Sequence, residues 1–192
     1  MGEWSCNDLP LDFDLDLYVT RFKDMEQLST WVMLRSLQNA GLFKEAGAGA
    51  SFTEILGRVT VADHYVKLFQ SWLNILVQDG YLMDEEGILT ATDQIRQADQ
   101  LENLRAEIAE NTRKGARYEK SLWSLYQRCI DQPEKLLSGA FNPLELMFED
   151  GETDFAESHY RESPVARHFN QVAGSAVSGL FGEMVGDRPL RI

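Results

Sequence analysis

Between residues 51 and 91, four local signals follow one another in an order that few folds can satisfy. Ser51 precedes an apolar residue, and Glu54 stands three positions on. That is the spacing of a capping box, in which the Ser hydroxyl and the Glu carboxylate satisfy each other's backbone N–H at a helix start. Residues 61–79 then place Tyr65, Leu68, Phe69, Trp72, Leu73, Leu76 and Val77 on one broad helical face. Gly80 follows where a left-handed residue closes a helix. Two short segments, 81–83 and 88–91, come next, joined by Asp84-Glu85-Glu86-Gly87, which reads as a hairpin turn.

A short capped helix, a long amphipathic helix and a hairpin, in that order, read as a winged helix. The charges oppose the DNA-binding version of that fold. A recognition helix needs Arg or Lys for phosphates and base edges. Residues 61–79 offer only Lys67, with Asp63 and Asp79 against it, and the turn carries three consecutive acids. The whole chain has a net charge of −13, which repels a phosphate backbone and suits basic partners. The expected role is protein packing, and no nucleic-acid partner is expected. A winged-helix transcription factor is the least favoured reading.

The remaining chain reads as helical. Residues 12–39 carry Leu17, Val19, Phe22, Met25, Leu28, Trp31, Val32, Leu34 and Leu37 mostly at helical spacing, with Gly41 as a C-terminal stop. Residues 46–50 alternate Gly and Ala and are expected to be a flexible surface loop. They lack the Lys-Ser/Thr pair and the preceding strand of a phosphate loop. Thr92 is a candidate cap for a helix over 93–112 with Ile95, Ala98, Leu101, Leu104 and Ile108 as its seam. Helices are expected over 116–130, from Pro133 to 137, and over 154–161, with a turn at Asn142-Pro143 before residues 144–148. Ser163 caps a final helix reaching about residue 185, with Pro164 at its first position. There Val165, Phe169, Val172, Ala176, Val177, Leu180 and Phe181 are expected to mark one buried face. The fold class is thus mainly α with a small β-hairpin.

Three stretches together carry a family likeness. The first is Leu42-Phe43 with the run from Tyr65 through Trp72 to Gly80-Tyr81-Leu82. The second is Leu137-Ser138-Gly139 with Asn142-Pro143-Leu144-Glu145-Leu146-Met147-Phe148. The third is Tyr160-Arg161-Glu162-Ser163-Pro164-Val165-Ala166-Arg167-His168-Phe169-Asn170. In this combination the chain resembles the N-terminal lid region of C-methyltransferase domains in polyketide synthases. The resemblance covers roughly residues 15–192. It implies a helical lid that, with a catalytic core, encloses S-adenosylmethionine (SAM) and a substrate carried on an acyl carrier protein. It implies a lead over 1–14, a winged-helix-like subdomain over 15–92, and a helical lid subdomain over 93–192 ending where the core begins. It points to Tyr160, Arg167 and Asn170 as residues approaching the SAM pocket or the lid–core seam. Arg167 and Asn170 are three apart and share a helical face. The plainer alternative is that Tyr160 packs and Arg167 pairs with a local acid such as Glu162.

The family's glycine loop, acidic ribose-binding residue and catalytic His and Glu have no counterpart here, so no catalytic residue is assigned and no cofactor is expected in this chain by itself. Two explanations stand side by side: a methyltransferase cut at the lid–core boundary, or a free-standing adaptor of a loading module ahead of an acetyltransferase-like domain. Expected partners are that core or neighbour and the carrier protein. Leu190-Arg191-Ile192 would start a core strand, and alone it is expected to fray or self-associate.

Other chemistry finds little footing. His64, His159 and His168 have no i, i+4 partner of metal-ligand type, so no metal site is expected. Ser138, Ser158 and Ser163 lack the strand-turn-helix elbow of a nucleophile. Cys129 beside Arg128 is read as a partly buried, inert thiol, and Cys6 lies too far along the chain to favour a disulfide. Trp72, Trp123 and Tyr126 are read as core. The N-terminus has neither the basic nor the apolar region of a signal peptide, and no apolar run spans a bilayer, so a cytoplasmic location is expected.

Overall fold

The structure is a computed structural model that describes residues 14–142, 144–145, 148 and 154–183. Several expectations lie outside these residues: the lead with Cys6, the residues Pro143, Leu146 and Met147, the end of the last helix near Val185, and the strand start at 190–192. The side chains of Leu180 and Phe181 also lie outside them.

The fold is mainly helical with one small antiparallel sheet. Helix α1 (Leu15–Asn39) is its spine. The Asp14 carboxylate accepts from the Leu17 N–H at 2.9 Å and starts it. At its other end Gly41 adopts φ 83°, and the Gly41 and Leu42 N–H groups return to the carbonyls of Gln38 and Leu37. This is a Schellman closure, which requires a left-handed residue at that point. Gly80 (φ 79°) closes α3 (Val66–Gln78) in the same way, with Gly80 and Tyr81 donating to Val77 and Leu76.

Strand β1 (Gly49–Ser51) leads into α2 (Phe52–Leu56), and the Ser51/Glu54 capping box forms as expected. The Ser51 N–H donates to Glu54 Oε2 at 2.8 Å, and Glu54 N–H returns to Ser51 Oγ at 3.3 Å. After α3 come β2 (Leu82–Glu85) and β3 (Ile88–Ala91). The sheet order is β1-β3-β2, all antiparallel, with Leu82 opposite Ala91 and Gly49 opposite Thr90. Glu86 and Gly87, both at positive φ (54° and 85°), form a two-residue hairpin turn of the type that matches strand twist. The turn is shorter than expected, because pairing continues to Glu85 opposite Ile88.

Three other expectations are corrected. The Gly/Ala segment over 46–50 is not a free loop. Gly47 N–H donates to the Ala91 carbonyl at 2.8 Å, Ala91 N–H donates to Ala48 at 2.9 Å, and Ala50 is buried. A Cβ on Gly49 would lie 3.3 Å from Ile88 Cγ2, so the small residue permits this close pairing. The long helix begins at Val66, not residue 61, after a 3₁₀ turn at Asp63–Tyr65. Ala62 is extended, and its N–H is taken by the Leu137 carbonyl at 2.8 Å. The segment after the Thr92 cap is 3₁₀ over Asp93–Gln100 before α4 (Leu101–Arg113) begins. Ile95, Ala98 and Leu101 recur every three residues, so a three-residue turn keeps all of them buried on one face.

Helices α5 (Arg117–Asp131) and α6 (Pro133–Leu137) follow, then α7 (Asp154–Glu162) and α8 (Pro164–Glu183). The Ser163 carbonyl accepts the Arg167 N–H at 2.9 Å, as a residue flanking a helix start does. One hydrophobic core joins α1, the sheet unit, α4, α5 and α6, and its fully buried members include Leu28, Leu34, Ile55, Phe69, Leu76 and Leu137. Trp31 Nε1 and Gln27 Nε2 both donate to the Tyr81 hydroxyl, at 2.8 and 2.9 Å, and that hydroxyl donates to Gln97. This shared hydroxyl ties α1 to the sheet and to the 3₁₀ segment with no polar group left wanting.

The expected burial of the apolar faces fails at two places. On α1 only the stripe from Leu28 onward is buried, and Leu17, Val19 and Phe22 are exposed. On α8, Phe169 is 65 % exposed and Val172 and Val177 are also exposed. Helix α8 packs chiefly on α7, and no other described element covers that face.

Candidate functional site

A cleft of about 490 Å³ lies between the first half of α1, the α4–α5 pair and the α7–α8 junction. Its α1 wall presents Leu17, Tyr18, Phe22 and Met25. These are the residues that the core leaves uncovered, because α1 extends beyond the sheet unit that packs on its second half. Opposite stand Tyr118, Leu122, Trp123 and Tyr126 of α5, with Trp123 and Tyr126 stacked at 5.8 Å. Trp123 is buried as expected of a core residue, and the same ring forms the cleft wall.

Polar and charged side chains are set into this apolar wall. Arg21 and Glu119 form an ion pair across it. Glu119 also accepts the Ala116 N–H at 2.7 Å, which fixes the carboxylate at the start of α5. The Tyr126 hydroxyl donates to the Met25 carbonyl at 2.6 Å and contacts the Ser29 hydroxyl. Burial raises the pKa of both Tyr118 and Tyr126. Two buried nitrogens on lining residues, Arg21 Nε and His159 Nδ1, have no hydrogen-bond partner. His159 is held by stacking on Phe155 at 5.5 Å.

Of the three residues singled out from sequence, two are brought together. Asn170 Nδ2 donates to the Tyr160 carbonyl at 3.2 Å, joining α8 to α7. The Tyr160 ring is 65 % exposed and meets His159 edge-on at 5.4 Å, so the packed alternative for Tyr160 fails. Arg167 is exposed, and Glu162 is taken by Arg117 at 3.1 Å, so Glu162 is not its partner. All three face outward rather than into the cleft: none lines it.

Cys129 is half-buried, and burial raises its pKa against the opposing pull of Arg128. Among the described residues no group of three or more His, Cys, Asp or Glu side chains could hold a metal ion. None of the described helices is long and apolar enough to cross a membrane. On α3, Lys67 and Leu68 are exposed beside Gln70 and Ser71, and Asp84, Glu85 and Glu86 are exposed at the hairpin.

Sequence reasoning missed the cleft because its walls come from residues about a hundred positions apart and form no motif. The available signal was the aromatic content of residues 18–22 and 118–126.

No family profile and no curated protein matches the chain. Solved structures similar to it include two carbon methyltransferases. The DszA carbon methyltransferase superposes with a TM-score of 0.71 at 26 % identity, over 90 % of this chain and 44 % of that one. The selenomethionine-substituted CurJ carbon methyltransferase superposes with a TM-score of 0.76 at 20 % identity, over 97 % of this chain and 48 % of that one. The chain thus spans less than half the length of the carbon methyltransferases whose fold it shares in part.

Proposed function

We propose that this chain is the lid of a polyketide synthase C-methyltransferase, a non-catalytic region that docks on a SAM-binding core and covers a carrier-bound substrate. The observation that carries the reading is the DszA superposition, which takes in nearly all of this chain and under half of a carbon methyltransferase. The sequence resemblance over residues 42–43, 65–82, 137–148 and 160–170 points the same way.

The architecture of the described residues supports the division of labour. A nucleotide-type cofactor is cradled by backbone N–H groups where a parallel strand turns into a helix. The sheet here is antiparallel throughout, and its strands are joined by a hairpin or packed helices. In this reading residues 15–92 form a winged-helix-like packing unit and residues 93–192 the lid subdomain, sharing one core. Lid closure would exclude water and complete a pocket whose chemistry belongs to the core. Tyr160, Arg167 and Asn170, outward-facing at the α7–α8 junction, would meet the core or its cofactor.

The test is calorimetric titration with SAM in two samples. The chain alone should bind no tighter than about millimolar, and a fusion that adds a carbon-methyltransferase core after residue 192 should bind in the micromolar range. Micromolar binding by the chain alone overturns the proposal. A pull-down with acyl carrier protein separates the two docking readings: a lid captures it only when the core is present, whereas a loading-module adaptor captures it or an acetyltransferase-like domain by itself.

A further inference from the structure

The cleft between α1, α5 and the α7–α8 junction is unused by the proposed lid function, and its aromatic walls meet an acidic rim. Its volume of about 490 Å³ falls within the roughly 300–1,000 Å³ usual for small-molecule sites. Two pairs of rings make the walls. Tyr18 and Phe22 stack at 6.4 Å on α1, and Trp123 and Tyr126 stack at 5.8 Å on α5. Phe22 is 54 % exposed, so its ring is open to an occupant. The face of an aromatic ring carries the negative part of its quadrupole, and a cation set over it is attracted, most strongly by Trp.

The charge around the cleft is negative. Asp14, Asp24, Glu26 and Glu119 line it, with Arg21 as the one Lys or Arg among the lining residues. Glu119 and Arg21 neutralise each other. The Asp14 carboxylate caps α1 and keeps its charge. Asp24 and Glu26 flank Met25 on α1, and no Lys or Arg among the described residues pairs with either. An anion meets net repulsion here, and a neutral molecule draws no Coulomb attraction from the carboxylates. A cation gains from the ring faces and from the rim together.

We propose that this cleft is a binding site for a small organic cation with an aryl body, the aryl body between the Tyr18–Phe22 and Trp123–Tyr126 ring pairs and the cationic head at the carboxylate rim of α1. The inference rests on the cleft alone and stands or falls independently of the lid reading.

The test is a calorimetric titration of the full chain with three probes that share one aryl body and differ in charge. Naphthylmethyl-trimethylammonium is the cation, naphthylmethanol is neutral and naphthylmethanesulfonate is the anion. The cation should saturate one site with a Kd in the tens of micromolar, and the other two should each bind about tenfold or more weakly. Phe22→Ala, at a half-exposed position that leaves the core intact, should weaken the cation by about tenfold. Asp24→Asn combined with Glu26→Gln should weaken the cation by about fivefold and leave naphthylmethanol unchanged. Glu85→Gln combined with Glu86→Gln removes the same charge from the hairpin, away from the cleft, and should leave the cation unchanged. Equal binding of the three probes, an equal loss in the rim and hairpin variants, or absence of saturable binding overturns the proposal. A cation affinity that falls as protein concentration rises would place a second copy of the chain in the cleft and would also overturn it.

Discussion

The sheet unit and α8 carry similar apolar patterns and meet opposite fates. In the sheet unit, α3 presents Phe69, Leu73 and Leu76 at helical spacing, and all are buried against α1, α2 and the hairpin. In α8, Phe169, Val172 and Val177 recur at comparable spacing and stay exposed. A helical hydrophobic stripe says that a partner surface is wanted, not that the same chain supplies it. In the sheet unit the chain folds back on itself through two glycine closures and a hairpin. After α7 no described element returns to cover α8. An exposed apolar helix face of this kind marks an interaction surface, which agrees with a lid that docks on a larger body.

The sharpest way to break this comparison is to truncate a phenylalanine on each helix. Phe69→Ala should cost about 3–5 kcal/mol in denaturant unfolding, since the ring is buried. Phe169→Ser should change stability by no more than about 0.5 kcal/mol. Equal costs would mean that α8 is covered in solution. Trp72→Ala comes next. Trp72 is partly buried and packs against the edge of the core, so its loss should cost a smaller amount, roughly 1–3 kcal/mol. Ser51→Ala should cost about 1 kcal/mol by removing one half of the α2 capping box.

The legible and illegible parts of the fold divide along physical lines. The capping box at Ser51 and Glu54, the closures at Gly41 and Gly80 and the hairpin were readable because each rests on residues within nine positions of one another. Strand β1 was not readable, because Gly and Ala carry no strand preference and pairing with β3 decides the matter. The 3₁₀ stretch is half legible, because the threefold spacing of Ile95, Ala98 and Leu101 fits an α-helical seam as well as a three-residue turn. Of the candidate site, the link between Tyr160 and Asn170 follows from the α7–α8 turn, whereas the cleft arises only when α1 and α5 meet across the fold.

The smallest expected effect is electrostatic. Arg113 and then Lys114 hold the Glu110 carboxyl down from 4.5 to about 2. A carboxylate depressed on folding stabilises above its unfolded pKa, and that contribution is lost as pH falls toward the folded value. Glu110→Gln should therefore lower stability slightly above pH 4.5, and the difference from the parent chain should shrink as pH falls toward about 2 and as salt is added. A difference that grows on acidification would reverse the assigned sign.

The central claim is that the exposed face of α8 belongs against a methyltransferase core. Hydroxyl-radical footprinting of Phe169, Val172 and Val177 tests it most directly, in the chain alone and in the chain fused to a carbon-methyltransferase core. The account predicts strong labelling of these three residues in the isolated chain and marked protection in the fusion, with Phe69 protected in both. Equal labelling of α8 in the two samples, or full protection in the monomeric chain alone, would contradict it.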